Sequence, residues 1–294
     1  MTLEFNKLTL NCINTLGLYF KNNRCRICDC TVGGTFMWRD FHNTEYAVVD
    51  DILYLKVSHP EFALTPPRGS VVGKAAYERI REYCDFAGMP VHLCSVSEPV
   101  LESILVMFPE SRVWTDRSWS DYLYLSEDII NLVGRRFSGQ RNHINRFMKE
   151  NPQWSFVRIS TENINDAKLF IENSAHGNDS DSPAYVEASR KILEVLDNLE
   201  LYGQFGGLLY ANGKIAGLSL GEIVEDTLYI HAEKADTAYH GSYPMLVNQF
   251  ARMFASSGAE YINREEDDGI EGLRTSKLSY HPTALLEKYM VELR

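Results

Sequence analysis

The chain has 294 residues, 45% of them hydrophobic and 23% charged, which excludes an intrinsically disordered polymer, because such chains lack the apolar surface to offset ordering entropy. A formal net charge of −11 argues against wholesale attraction to nucleic acid or anionic lipid, while leaving room for a local basic patch. No apolar run approaches the ~20 residues needed to cross a bilayer, and the first twenty residues carry no basic n-region or cleavage site; a soluble, cytoplasmic globular protein is expected.

In chain order, Glu45-Tyr-Ala-Val-Val and Ile52-Leu-Tyr-Leu-Lys-Val flank Asp50-Asp51 and read as a tight hairpin. A short strand near 62–64 follows, then a loop over 66–70, a helix over 73–87 ending at Gly88, a strand over 90–94, a helix near 97–107 and an alternating strand at 121–125. The second half repeats that order. Helices within 162–174 and 184–198 lead to a strand at 206–210, the type I′ signal Asn212-Gly213, and strands at 215–220 and 227–232. A polar loop, Glu233 to Tyr243, opens a helix with Pro244 in its first turn and Gly258 at its end. A strand at 260–263, a short helix within 270–279 and a final strand near 284–292 complete the chain.

Antiparallel strands, loop, helix, strand, helix, strand is the element order of a GNAT (acyl-CoA N-acyltransferase-like) core, here met twice. The fold expected is α+β: two tandem GNAT-like domains, each a mixed central sheet flanked by helices, spanning 1–140 and 141–294, with the active site in the second. The first span carries net charge −3 and the second −8, so the acid excess sits in the second.

Cys25, Cys28 and Cys30 form one cluster. A zinc site needs about four N or S ligands, usually as two pairs. No matching pair accompanies this cluster, although His42 or Cys12 could complete one; reduced, partly buried thiols are expected, and no metal.

The densest chemistry lies between Asn263 and Tyr280. Four consecutive acids, Glu265 to Asp268, repel one another unless cations or a ligand amine are near. Arg274 and Lys277 share a helix face, and Gly269 and Gly272 permit sharp turns or close approach. The plainer alternative is a solvated acidic turn followed by an amphipathic helix with Ile270, Leu273 and Leu278 inward.

Three stretches carry a resemblance: Phe36-Met-Trp-Arg39 with Glu45-Tyr46, Gly134-Arg-Arg-Phe-Ser-Gly-Gln-Arg-Asn-His-Ile-Asn-Arg-Phe147, and the run from Asn263 to Pro282. Together they resemble a bacterial family named for similarity to the C-terminal domain of phosphatidylglycerol lysyltransferase, over nearly the whole chain. The resemblance implies a tandem-GNAT fold related to Fem-type transferases and lipid aminoacyltransferases. It further implies an acyl- or aminoacyltransferase using aminoacyl-tRNA or acyl-CoA as co-substrate, with no permanently bound cofactor. The acceptor would be an amine or hydroxyl, on a lipid headgroup or a small molecule, and tRNA becomes a candidate partner.

The segment Leu273 to Tyr280 is also similar to a lysine-bearing helix of Fem-type enzymes. That places Lys277 where it would stabilise negative charge on the attacked ester carbonyl, although Ser276 stands where those enzymes carry an aromatic. On this reading Glu265 and Asp267 orient or deprotonate the acceptor, Glu233, Asp268 and Arg274 bind substrate, and Tyr280 returns a proton to the leaving group.

GNAT enzymes hold the coenzyme A pyrophosphate on a glycine-rich loop at a helix N-terminus; His240, Gly241 and Ser242 occupy that place here. Ala238 and Tyr243 depart from the Q/R-x-x-G-x-G/A pattern, which favours an aminoacyl-tRNA donor over acetyl-CoA. Arg141, Arg146 and Lys149 fall with Asn142 and Asn145 within an arc of about 140° on one helix, a face suited to tRNA or lipid phosphates or simply to solvent. A non-catalytic GNAT-fold protein that binds a charged small ligand is the alternative, and the departures at Ala238, Tyr243 and Ser276 speak for it.

Overall fold

The computed structural model describes residues 3–21, 25–174 and 183–294, the side chains of 183–185 excepted. Local chemistry fixes the turns. Asp50 and Asp51 (φ 53° and 57°) and Asn212 and Gly213 (φ 49° and 80°) are left-handed pairs, as a two-residue type I′ hairpin requires. They join Val49 to Ile52 and Ala211 to Lys214 in register. The helix Lys74–Ala87 stops at Gly88, whose φ of 67° closes its last turn. The helix Ser242–Phe254 buries Met245, Leu246, Phe250 and Phe254 of the apolar stripe in its sequence, together with Ala251, whereas Met253, which the same period places in the stripe, is exposed.

The chain forms two compact units. The first comprises Met1–Asp121, Glu266–Gly269 and Leu286–Arg294; the second comprises Tyr122–Glu265 and Ile270–Leu285. In the first unit the sheet order is Asn6–Lys7, Glu45–Val49, Ile52–Val57, Ala63–Leu64, His92–Val96, Tyr289–Glu292, Arg112–Thr115, with Arg68–Gly69 beside Ile52–Val57. Ala63–Leu64 and His92–Val96 run parallel, and the helix Lys74–Ala87 makes the crossover. Its core gathers Tyr54, Leu64, Tyr77, Ile80, Leu93 and Val96.

The second unit repeats the plan. Its sheet order is Ala284–Leu286, Asp121–Leu125, Tyr261–Asn263, Thr227–Ala235, Lys214–Val224, Phe205–Ala211, Ser155–Arg158. Thr227–Ala235 and Tyr261–Asn263 are the parallel pair, connected through Ser242–Phe254, whose Phe254 ring stacks on Phe205 at 4.2 Å. Two mixed sheets flanked by helices, each with one helical crossover, make this an α+β tandem GNAT-like fold.

Two strands differ from their sequence placement. The segment 284–292 reads as one strand but is two, Ala284–Leu286 in the second sheet and Tyr289–Glu292 in the first. The strand at 121–125, which the element order puts last in the first half, pairs instead with Tyr261–Asn263. Alternation of side chains identifies a strand without naming the edge that it joins, because pairing depends on contacts remote in sequence.

Candidate functional site

In the second unit, the antiparallel pair Lys214–Val224 and Thr227–Ala235 contains a bulge. Gly221 faces Ile230 and Leu220 faces Ala232, so His231 is the extra residue. A bulge bends its strand and re-aims a side chain. Gly221 permits it, since a Cβ there would lie 2.3 Å from the Tyr229 carbonyl oxygen. On the other side of Thr227–Ala235, the parallel ladder lasts only from Thr227 to Tyr229, opposite Tyr261–Asn263. The ladder therefore ends just before the bulge. Beyond Asn263 the chain turns through Glu265, whose φ of 56° is unusual for a non-glycine residue.

Paired charges gather at this point. His231 places Nδ1 2.8 Å from Glu265 and Nε2 2.9 Å from Glu222. Burial would lower the imidazole pKa, but the two carboxylates outweigh it and raise the value to about 10, so both ring nitrogens carry protons at neutral pH. Arg264 meets Glu233 through two hydrogen bonds, Nε to Oε1 at 3.1 Å and Nη2 to Oε2 at 2.6 Å. Its guanidinium lies 4.9 Å from the Tyr280 ring centroid and 5.8 Å from that of Tyr124. Its Nη1 is buried without a hydrogen-bond partner among the described residues. Lys277, itself buried, donates from Nζ to the main-chain oxygens of Arg264 at 2.5 Å and Glu265 at 3.2 Å. Burial pushes the Tyr280 phenol up to about 12 despite Arg264 nearby, which keeps it protonated.

Of the residues singled out by sequence, Glu233, Glu265, Lys277 and Tyr280 thus converge in this unit, with Arg274 half-buried on the helix Glu271–Leu278. The acidic run itself is divided. Asp267 and Asp268 belong to the first unit. Asp267 is fully buried there, accepting from the Gly269 amide at 2.9 Å and pairing with Arg117 at 3.4 Å, the geometry of a turn-forming aspartate. Asp268 is exposed, with φ 50°.

The loop at the head of Ser242–Phe254 has its own packing. Gly241 has φ 79°, and a Cβ there would lie 2.3 Å from the His143 carbonyl oxygen. Close approach of the helix Ser138–Glu150 therefore accounts for this glycine. Ser242 is buried and donates to the Asp236 carbonyl at 2.9 Å, while His240 is exposed with its ring 6.3 Å from that of His143. On the same helix, Arg141 donates to the carbonyls of Leu132 and Gly134, and Arg146 pairs with Glu150 at 2.7 Å. Lys149 is exposed.

Sequence reasoning overlooked His231, Glu222 and Arg264. The available signal was a histidine and a glutamate breaking two otherwise apolar strands, Leu228-Tyr-Ile-His231-Ala and Ser219-Leu-Gly-Glu222.

A second cluster belongs to the first unit. Lys288 Nζ lies 2.6 Å from Asp29, 2.8 Å from Asp121, 2.8 Å from Glu266 and 3.3 Å from Cys28 Sγ. The ligand atoms of Cys28, Asp121 and Glu266 fall within 4.8 Å of one another, a spacing that a metal could use, but the ammonium already supplies positive charge among them. Burial, which Lys288 only partly offsets, pushes the Asp121 carboxyl up to about 7. In Asp29 and Glu266 the same ammonium outweighs burial and holds both below the usual carboxylate range.

A family model described as phosphatidylglycerol lysyltransferase, C-terminal, matches residues 25–292. The chain belongs to that family. A conserved protein of unknown function from Bacteroides thetaiotaomicron VPI-5482 superposes with a TM-score of 0.92 at 33% identity, covering 100% of both chains. L-PGS from Bacillus licheniformis superposes with a TM-score of 0.65 at 14% identity, over 95% of this chain and 91% of that one, which shows a shared fold. An uncharacterized protein, MYCGA3080, from Mycoplasmoides gallisepticum (strain R(low / passage 15 / clone 2)) is 26% identical over 178 residues. That match takes in 60% of this chain and 57% of the relative, so the chain spans little more than half of the relative's length. No helix among the described residues is long and apolar enough to cross a membrane.

Proposed function

We propose that the chain transfers an aminoacyl group from the ester of an aminoacyl-tRNA to a hydroxyl or amine, with a lipid headgroup as the acceptor that the family description favours. The observation that carries this reading is the convergence of His231, Glu233, Arg264, Glu265 and Lys277 where the parallel ladder ends. Glu265, held by the protonated His231, orients the attacking group rather than acting as a strong base, because an imidazolium bond withdraws its charge. The buried Nη1 of Arg264 and the ammonium of Lys277 favour negative charge as it develops on the ester oxygen. Tyr280, held protonated, donates to the departing tRNA oxygen. The explanation of Gly241 by helix packing removes one reason to invoke a coenzyme A pyrophosphate, which favours aminoacyl-tRNA over acyl-CoA.

A second reading, a GNAT-fold protein that binds a charged ligand without turnover, draws support from the closed Glu233–Arg264 pair and the main-chain bonds of Lys277. One experiment separates them. Purified protein is incubated with tRNA carrying radiolabelled lysine and with phosphatidylglycerol vesicles, and in parallel with labelled acetyl-CoA. Label appearing in the lipid fraction only with the charged tRNA supports the transferase. Saturable tRNA or lipid binding without transfer supports the binding protein, and transfer from acetyl-CoA alone overturns the donor assignment.

A further inference from the structure

The three clustered cysteines separate in the fold. Cys28 faces Asp121, Glu266 and Lys288, whereas Cys25 and Cys30 turn toward each other. The Cys30 thiol donates to Cys25 Sγ across 3.3 Å. Cys25 is half-buried and Cys30 is buried, so an external reagent meets Cys25 first. Arg68 stands close by, donating to the Asp29 carbonyl at 3.0 Å with its guanidinium 4.6 Å from the Phe20 ring centroid.

We propose that Cys25 and Cys30 form a redox-active dithiol, which a small-molecule disulfide such as oxidised glutathione converts to an intrachain disulfide. Cys25 is the attacking sulfur and Cys30 the resolving one. The hydrogen bond from Cys30, outweighing burial and helped by the positive charge of Arg68, lowers the Cys25 thiol to about 7, which supplies thiolate at neutral pH. Cys25 Sγ attacks one sulfur of the glutathione disulfide; that S–S bond breaks, a glutathione thiolate leaves, and a mixed disulfide forms on Cys25. Cys30 then loses its proton to solvent and attacks Cys25 Sγ, expelling the second glutathione thiolate. Two electrons pass from the protein dithiol to the glutathione disulfide, and the two protons released end on two glutathione thiols. Closing the bond requires the sulfurs to approach to about 2.05 Å. The resulting ring encloses Cys28 and Asp29, the two residues that this loop contributes to Lys288.

The test uses the reduced chain, oxidised glutathione at neutral pH, an iodoacetamide quench in denaturant that exposes the buried thiols, and peptide mass spectrometry without reductant. The expected product is a Cys25–Cys30-linked peptide lighter by two hydrogens than its dithiol form, with Cys12, Cys28, Cys84 and Cys94 alkylated. Cys30→Ser is expected to stop at the mixed disulfide on Cys25, and Cys25→Ser to leave Cys30 alkylatable. A stable glutathione adduct on wild-type Cys25, a linkage to Cys28 or to any other cysteine, or all six cysteines remaining alkylatable would each overturn the assignment.

Discussion

Replacing His231 by Gln removes a buried positive charge and keeps an amide that can still bond one carboxylate. The wild-type side chain is 1% exposed, and its partners Glu222 and Glu265 are 7% and 21% exposed, so little solvent screening intervenes. With the folded imidazolium titrating near 10 rather than the ordinary 6.5, folding is linked to a retained proton. The stabilisation is fully present below pH 6.5 and is lost as pH rises through about 10. Each pH unit in that window is worth about 1.4 kcal/mol. Between pH 6 and pH 9 the stability difference between wild type and His231→Gln should therefore shrink by about 3 kcal/mol. Urea unfolding of both proteins at a series of pH values, followed by circular dichroism, measures that difference directly. Titrating groups remote from His231 are common to the two proteins and cancel. Parallel stability–pH curves would refute the claim that a protonated His231 bridges the two glutamates.

Lys277→Met should abolish transfer and also destabilise the second unit by about 2–5 kcal/mol, because the main-chain oxygens of Arg264 and Glu265 lose a buried donor; urea midpoints paired with the transfer assay check both effects. Gly241→Ala should cost about 2–4 kcal/mol from its left-handed backbone and its clash with the His143 carbonyl, readable as a lowered urea midpoint. Asp121, whose carboxyl is raised to about 7 by burial, takes up a proton on folding above about pH 4, so its contribution to stability falls as pH rises to about 7. Asp121→Asn should accordingly gain up to about 3 kcal/mol relative to wild type between pH 5 and pH 7.5, and a difference that stays flat across that range would sink the assignment.

Part of the candidate site was legible in the sequence. Opposed charges packed between Asn263 and Tyr280 pointed to Glu265, Lys277 and Tyr280, and all three meet around Arg264. The same pattern gave no hint that Asp267 would turn away to close a loop with the Gly269 amide. Adjacent acids look equivalent in a string, whereas the left-handed step at Glu265 sends them in different directions. Burial was the other hidden variable. The helix face shared by Arg274 and Lys277 follows from spacing, but the Lys277 bonds to two main-chain oxygens depend on a turn thirteen residues back.

Short-range steric and hydrophobic preferences act within a few residues, so the sequence alone determined the two left-handed hairpins, the glycine stop at Gly88 and the apolar stripe of Ser242–Phe254. The tertiary structure decided which strands pair, why His231 bulges between two glutamates, and how Lys288 comes to face Asp29, Asp121 and Glu266. Those outcomes depend on desolvation and on contacts between segments up to hundreds of residues apart, and neither exists until the chain has folded.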